Sequence, residues 1–258
     1  MFVMNKVKTI ILIALLTLFC IHTNAVEPNK FSIVLSGAQN APRVLACKTP
    51  EFSFHFPQMA GNFRLGLISG EKSLWGDQVK SVKLQKKEGK LIYTLSDDLL
   101  KDGKVIIRMA RLTDSDGFVM EVEGINIPEG TDLFWSFGGS YAKILSDKTK
   151  SNLKPEYCKD NVFSVEGNAF TVYYGESLDL KVVQAVVPSE SDIRLSDAHK
   201  QATPLMFHQS GKKTDAPVLT GTNKLINGKL YFCFYVQNTK ADYNSFMLPE
   251  LFKKEFNL

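Results

Sequence analysis

The feature that most limits what this chain can fold into is its punctuation. From Phe31 to Val236, short runs of β-branched and aromatic residues recur, broken by Gly, Asn, Asp and Pro roughly every eight to twelve positions. Such spacing specifies short antiparallel strands. The runs place strands at Phe31–Leu35, Arg43–Cys47, Phe52–Phe56, Phe63–Ile68, Val79–Leu84, Leu91–Leu95, Val105–Leu112, Phe118–Gly124 and Leu133–Phe137. A second set covers Val162–Glu166, Phe170–Tyr174, Leu180–Val187, Leu205–His208, Pro217–Thr222 and Leu230–Val236. Asn227-Gly228, between two apolar runs, reads as a hairpin turn. Turns are also expected at Lys87-Glu88-Gly89, Asp114-Ser115-Asp116-Gly117 and Glu166-Gly167-Asn168. The expected fold is all-β: a large antiparallel β-sandwich of the supersandwich kind with a short C-terminal helix.

Helical periodicity is confined to Asp97–Lys101, one turn between strands, and the tail, where Leu248, Leu251, Phe252 and Phe256 fall on one side, an apolar face expected to fold back on the sandwich or else to meet a partner. At the other end, Lys6 and Lys8 precede an apolar run of about 13 residues, Thr9 to Ile21, too short to span a bilayer. Thr23 and Ala25 supply the small residues of a signal-peptidase site, so cleavage is expected after Ala25 and the product is expected to be periplasmic or secreted. An uncleaved anchor or a lipid on Cys20 would instead tether it, although Phe19 is too large for the residue before a lipoprotein cysteine. The expected organisation is a signal peptide over 1–25, a β-sandwich over 26–245 and a helical tail over 246–258.

Charge argues against a nucleic-acid partner. The formal net charge is +4, and loss of Lys6 and Lys8 with the leader would halve it. The remaining lysines are interspersed with acids rather than gathered into a phosphate-tracking stripe. No membrane partner is expected after cleavage. With 44% hydrophobic residues the chain has the apolar content of a globular domain. Of the cysteines left after cleavage, Cys233 sits in an apolar run and is expected to be a buried thiol. If a disulfide forms, Cys47 with Cys158 is the favoured pair.

Nucleophile and metal motifs are missing. There is no Gly-x-Ser-x-Gly, and His55, His199 and His208 sit in unrelated contexts. No histidine pair has helical metal-ligand spacing, and the cysteines are too dispersed for zinc, so no cofactor or metal is expected. Asp114-Ser115-Asp116-Gly117 opens like a calcium loop but lacks the downstream glutamate. Glycoside hydrolysis needs paired carboxylates, yet 27 acidic residues offer no way to choose a pair from sequence. Aromatic side chains are more informative, because an exposed Trp or Tyr can stack on the apolar face of a sugar ring. Trp75, Trp135, Tyr141 and Tyr157 are the candidate carbohydrate-binding residues, and Trp75, between Gly and Asp, is the best candidate for exposure. The competing expectation is that these large rings fill the core.

Five stretches carry a resemblance: Pro50-Glu51-Phe52-Ser53-Phe54-His55-Phe56-Pro57, Gly61-Asn62-Phe63-Arg64-Leu65-Gly66, Leu133-Phe134-Trp135-Ser136-Phe137-Gly138-Gly139, Leu153 to Asn161, and Pro217-Val218-Leu219-Thr220-Gly221. Over Phe31 to Phe256 the chain resembles the N-terminal β domain of an uncharacterised Bacteroidota family of exported, glycoside-hydrolase-like proteins. The resemblance implies a role in polysaccharide breakdown. It also implies that a helical connection and a six-hairpin (α/α)6 domain, which in related glycosidases holds the catalytic carboxylates, follow the β domain. This sequence stops at Leu258, so no catalytic residue transfers to it. The expectation is a carbohydrate-associated or accessory module, non-catalytic alone, that holds a polysaccharide or oligosaccharide or docks a helical catalytic subunit through Leu251, Phe252 and Phe256. The alternatives are a glycoside hydrolase with an unidentified carboxylate pair and a truncated remnant with little activity.

Overall fold

Along Lys90–Ser96 every second side chain, Leu91, Tyr93 and Leu95, is buried while its neighbours are more open. A period of two is the strand's own, so one face of each sheet must turn inward. The computed structural model describes residues 33–36, 43–56, 59–141, 153–159, 161–174 and 183–257. Among these the strands are β1 (Ile33–Ser36), β2 (Arg43–Ala46), β3 (Glu51–Phe56), β4 (Met59–Ser69), β5 (Lys72–Trp75), β6 (Ser81–Lys87), β7 (Lys90–Ser96) and β8 (Lys104–Arg111). There follow β9 (Gly117–Ile125), β10 (Thr131–Tyr141), β11 (Asn161–Glu166), β12 (Ala169–Tyr174), β13 (Val183–Val186), β14 (Asp192–Asp197), β15 (Pro217–Lys224) and β16 (Gly228–Val236).

They form two antiparallel sheets, confirming the all-β sandwich. The first has the order β1-β2-β3-β4-β10-β15-β14, with β5 pairing beyond β3 on the same edge of β4. The second runs β11-β12-β13-β16-β9-β8-β7-β6. Between them lies an aromatic core in which Phe63 meets Phe234 at 4.4 Å, Phe54 meets Phe118 at 5.4 Å and Phe137 meets Phe170 at 5.7 Å between ring centroids. Each such pair adds roughly 0.5–1.5 kcal/mol beyond the area it buries.

Both sheets are also covered on part of their outer faces. Helices α1 (Pro155–Cys158) and α2 (Pro204–His208) lie over the first sheet, where Trp75, Phe134, Leu153, Cys158 and Phe207 form a second apolar cluster. Helix α3 (Leu248–Phe256) lies on the second, burying Leu248, Leu251 and Phe252 against Val119, Cys233 and Tyr235. The apolar side of this helix thus folds back on the protein's own sheet rather than standing free for a helical subunit, with Phe256 half-buried. Lys90 Nζ donates to the Phe256 carbonyl at 2.7 Å, Thr113 Oγ1 to Glu255 at 2.8 Å, and Lys254 pairs with Asp114 at 2.7 Å, which fixes the last turn.

Several local expectations are corrected. Leu205–His208 is helical, because Thr203 Oγ1 caps the Met206 amide and Pro204 supplies a first-turn φ. Asn227-Gly228 is not a hairpin: β15 belongs to the first sheet and β16 to the second, so this segment crosses between layers. Strands β5 and β14 carry no clear apolar run, because both mix polar side chains with few apolar ones. The Lys87-Glu88-Gly89 turn does close a hairpin, with Glu88 and Gly89 at φ 52° and 75° as a primed turn requires. Cys47, Cys158 and Cys233 are free, buried thiols in three different clusters, so the favoured Cys47–Cys158 bridge is absent.

Candidate functional site

The structure buries both tryptophans. Trp75, the expected exposed platform, is 1% accessible: the Arg64 guanidinium lies 3.9 Å from its ring centroid, Phe134 packs at 5.4 Å, and Nε1 donates to the Gln201 carbonyl at 3.1 Å. Its Gly-Asp flank is a packing device, since Asp77 accepts from Arg64 at 2.9 Å and a Cβ at Gly76 would come within 2.5 Å of Pro50. Trp135 is fully buried in the sandwich core, where Nε1 donates to Asn223 Oδ1 at 3.2 Å. Neither ring offers a face to a sugar. Tyr157 is half-buried on α1 with Lys154 Nζ 5.4 Å from its ring centroid. Tyr141 ends β10, paired with Met59, and its side chain lies outside the described residues.

Two carboxylates share one face of β9, where Glu121 and Glu123 stand two positions apart. Arg108 Nη1 donates to Glu121 at 2.6 Å and to Glu123 at 2.7 Å, while Lys229 Nζ and Tyr231 Oη donate to the other Glu121 oxygen at 3.0 and 2.9 Å. Glu121 is 1% exposed, so this is a saturated structural hub, and burial followed by the Glu121 carboxylate pushes the Tyr231 hydroxyl up. Among the histidines, His199 binds its own N-cap residue Asp197 at 2.7 Å. His208 reaches Thr220 at 3.1 Å and Asp192 at 3.4 Å, but Thr220 is fully buried. Neither arrangement presents a nucleophile to solvent. Among the described residues no three His, Cys, Asp or Glu side chains are placed to hold a metal ion.

A groove on the outer face of the second sheet combines polar chemistry with access. Ser164, Thr171, Gln184 and Tyr235 lie side by side across β11, β12, β13 and β16, and Glu166, Ala169 and Val186 form the next row. Alternation sends both rows to the outer face, because Phe170 and Ala185 between them face the core. The segment Asp242-Tyr243, leading to α3, makes the side wall, its Tyr243 ring set 4.8 Å from Tyr235 and its amide donating to Tyr235 Oη at 3.1 Å. Gln184 Nε2 donates to Gln237 at 2.9 Å, and Gln237 to Asp242 Oδ1 at 3.3 Å, which ties wall to floor. The groove encloses about 350 Å³, within the roughly 300–1,000 Å³ of small-molecule sites. Ser164, Thr171 and Glu166 make no side-chain hydrogen bond among the described residues. The Tyr243 hydroxyl is buried without a hydrogen-bond partner among the described residues, and burial followed by the Cys233 thiol pushes it up to about 12.

A second cavity, about 590 Å³ and mostly apolar, opens at one end of the sandwich between Ile127, Pro128, Leu225 and Ile226. Glu129, Asp132 and Lys224 line it. Asp132 stands directly opposite Lys224 in the β10–β15 register, and burial raises its carboxyl above the usual range against the pull of that lysine.

Sequence reasoning missed both openings. The outward set on β11 to β13 follows from alternation, but its meeting with Asp242-Tyr243 depends on how the chain returns along β16.

Comparison with known proteins bears on the fold and family. No curated protein matches the sequence. Among solved structures, a crystal structure of a bacterial glucoamylase complexed with acarbose superposes with a TM-score of 0.57 at 10% identity, over 90% of this chain and 36% of that one. The chain thus spans about a third of that enzyme's length, and the likeness is one of architecture. A family model described as "Domain of unknown function (DUF4450)" matches residues 56–255, from the end of β3 to the last turn of α3, and the chain belongs to that family.

Proposed function

We propose that this protein is an exported, carbohydrate-associated β-sandwich module that holds an oligosaccharide in the groove over β11 to β13 and is non-catalytic by itself. The observation that carries the reading is the groove: a row of hydroxyl, amide and carboxylate side chains beside an aromatic ring, on a sandwich whose architecture is shared with a glycoside hydrolase. Saccharides offer that combination its complement, C–H faces for Tyr243 and hydroxyls for Ser164, Thr171 and Glu166. One point supports the non-catalytic part: the Glu121–Glu123 pair is committed to Arg108 and Lys229. Export rests on the Lys6–Lys8 flank, the apolar run and Ala25. Intact-mass analysis of the exported protein should find Val26 at the N-terminus.

The test is titration calorimetry with neutral oligosaccharides, run beside a reducing-end assay. Binding that Gln184→Ala and Tyr243→Ala weaken, with no hydrolysis above background, is the expected outcome. No binding, or binding indifferent to both substitutions, would sink the groove reading. A second reading, hydrolysis by this chain, draws on the end cavity, where a desolvated Asp132 and a nearby Glu129 resemble a general acid with its partner. Release of reducing ends that Asp132→Asn and Glu129→Gln both abolish would replace the first reading with this one.

A further inference from the structure

The charge of the groove carries the functional reading one step further. Among the described residues its titratable lining is Glu166 and Asp242, aside from tyrosine, with no Lys, Arg or His. Both carboxylates are exposed and keep acceptor capacity: Glu166 makes no side-chain hydrogen bond among the described residues, and Asp242 takes one long contact, from Gln237 at 3.3 Å, on Oδ1 alone. Their setting differs from the other acids on this face, since Glu121 and Glu123 are neutralised by Arg108, and Asp114 by Lys254. The groove therefore presents negative potential over a floor of uncharged hydrogen-bonding groups. A ligand seated there must bring donors, and an anionic sugar would meet two like charges with no cation to offset them.

We propose that the groove selects saccharides bearing a protonated amine, of the hexosamine class, over neutral sugars, and rejects uronates and sulfated sugars. The assignment rests on the groove being the saccharide site. An ammonium group can reach Glu166 or Asp242 while the ring lies on the row of Ser164, Thr171 and Gln184. Because both acids are solvated, the gain is that of an exposed ion pair, a roughly two- to ten-fold preference that shrinks with added salt.

The experiment compares three trisaccharides by calorimetry on the full chain: one of glucosamine, its N-acetylated counterpart and trigalacturonate. The expected order is glucosamine first, the N-acetylated sugar weaker and no detectable trigalacturonate binding. Glu166→Gln and Asp242→Asn, isosteric changes at exposed positions, should bring the glucosamine sugar down to the affinity of its neutral counterpart and leave the latter unchanged. Glu71→Gln, at an exposed turn outside the groove, should alter nothing. Equal binding of the two glucosamine-based sugars, or a preference that Glu71→Gln diminishes as much as Glu166→Gln does, overturns the charge selection while the groove reading stands. Binding of none of the three overturns both.

Discussion

The indole of Trp135 occupies the space over Gly221, its register partner on β15: a Cβ on that glycine would lie 2.3 Å from two ring carbons. On its other contacts the indole stacks on Phe170 across the sandwich, with centroids 5.9 Å apart and planes 13° from parallel, and bonds to Asn223. Two motifs far apart in sequence, Leu133 to Gly139 and Pro217 to Gly221, are thus one unit in which the glycine exists to admit the ring.

Gly221→Ala should accordingly destabilise the fold by about 1–3 kcal/mol, the usual penalty for overpacking a filled core. Urea unfolding measures it. A variant as stable as the parent would mean that the indole moves aside freely and that the fit is unimportant.

Phe252 is 1% exposed on α3, with Tyr231 at 5.9 Å and Phe256 at 5.0 Å between centroids. Phe252→Ala should cost about 3–5 kcal/mol, and removal of residues 246–258 should lower the melting temperature still further. An unchanged melting temperature in both would show that the helix is not held by the sheet.

Acidification should act through His208. Its imidazole is held below the usual histidine range, chiefly by burial and then by Arg194, against the opposing pull of Asp192. Below about pH 6.5 the unfolded chain takes up a proton that the folded one refuses, so stability falls as pH drops through the ordinary histidine value toward the lowered one, and then levels off. Asp192, whose carboxyl Arg194 holds down, contributes only at lower pH, below its ordinary value. Denaturant midpoints at about pH 7 and pH 5 should therefore differ more for the parent than for His208→Asn. Parallel behaviour of the two proteins would remove His208 from the account.

The thiols of Cys47, Cys158 and Cys233 should be inert in the native protein. Burial pushes Cys158 up to about 12, and raises Cys47 and Cys233 as well. A thiol reagent such as Ellman's should titrate all three only after denaturation. Rapid native reaction, or fewer than three thiols in the denatured protein beginning at Val26, would contradict the buried free state.

What the sequence determined by itself was local. Alternation located most of the strands, because burial on one face leaves a period of two in the residue types, and the spacing of Leu248, Leu251, Phe252 and Phe256 located α3. Turn chemistry was legible where a positive φ is needed, as at Glu88-Gly89 and Gly167. It failed at Asn227-Gly228, since the same residues serve a hairpin or a crossing between sheets, and only the pairing of β16 with β9 and β13 separates the two. The site was the least legible part. Trp75 looked exposed because its neighbours are turn formers, yet Arg64, Phe134 and Gln201 arrive from elsewhere in the chain to cover it. The groove likewise exists only once the segment after β16 has set Asp242 and Tyr243 beside Gln184. Which side chains face outward is a property of each strand; which of them remain uncovered depends on contacts between residues distant in sequence, and these the tertiary structure alone decides.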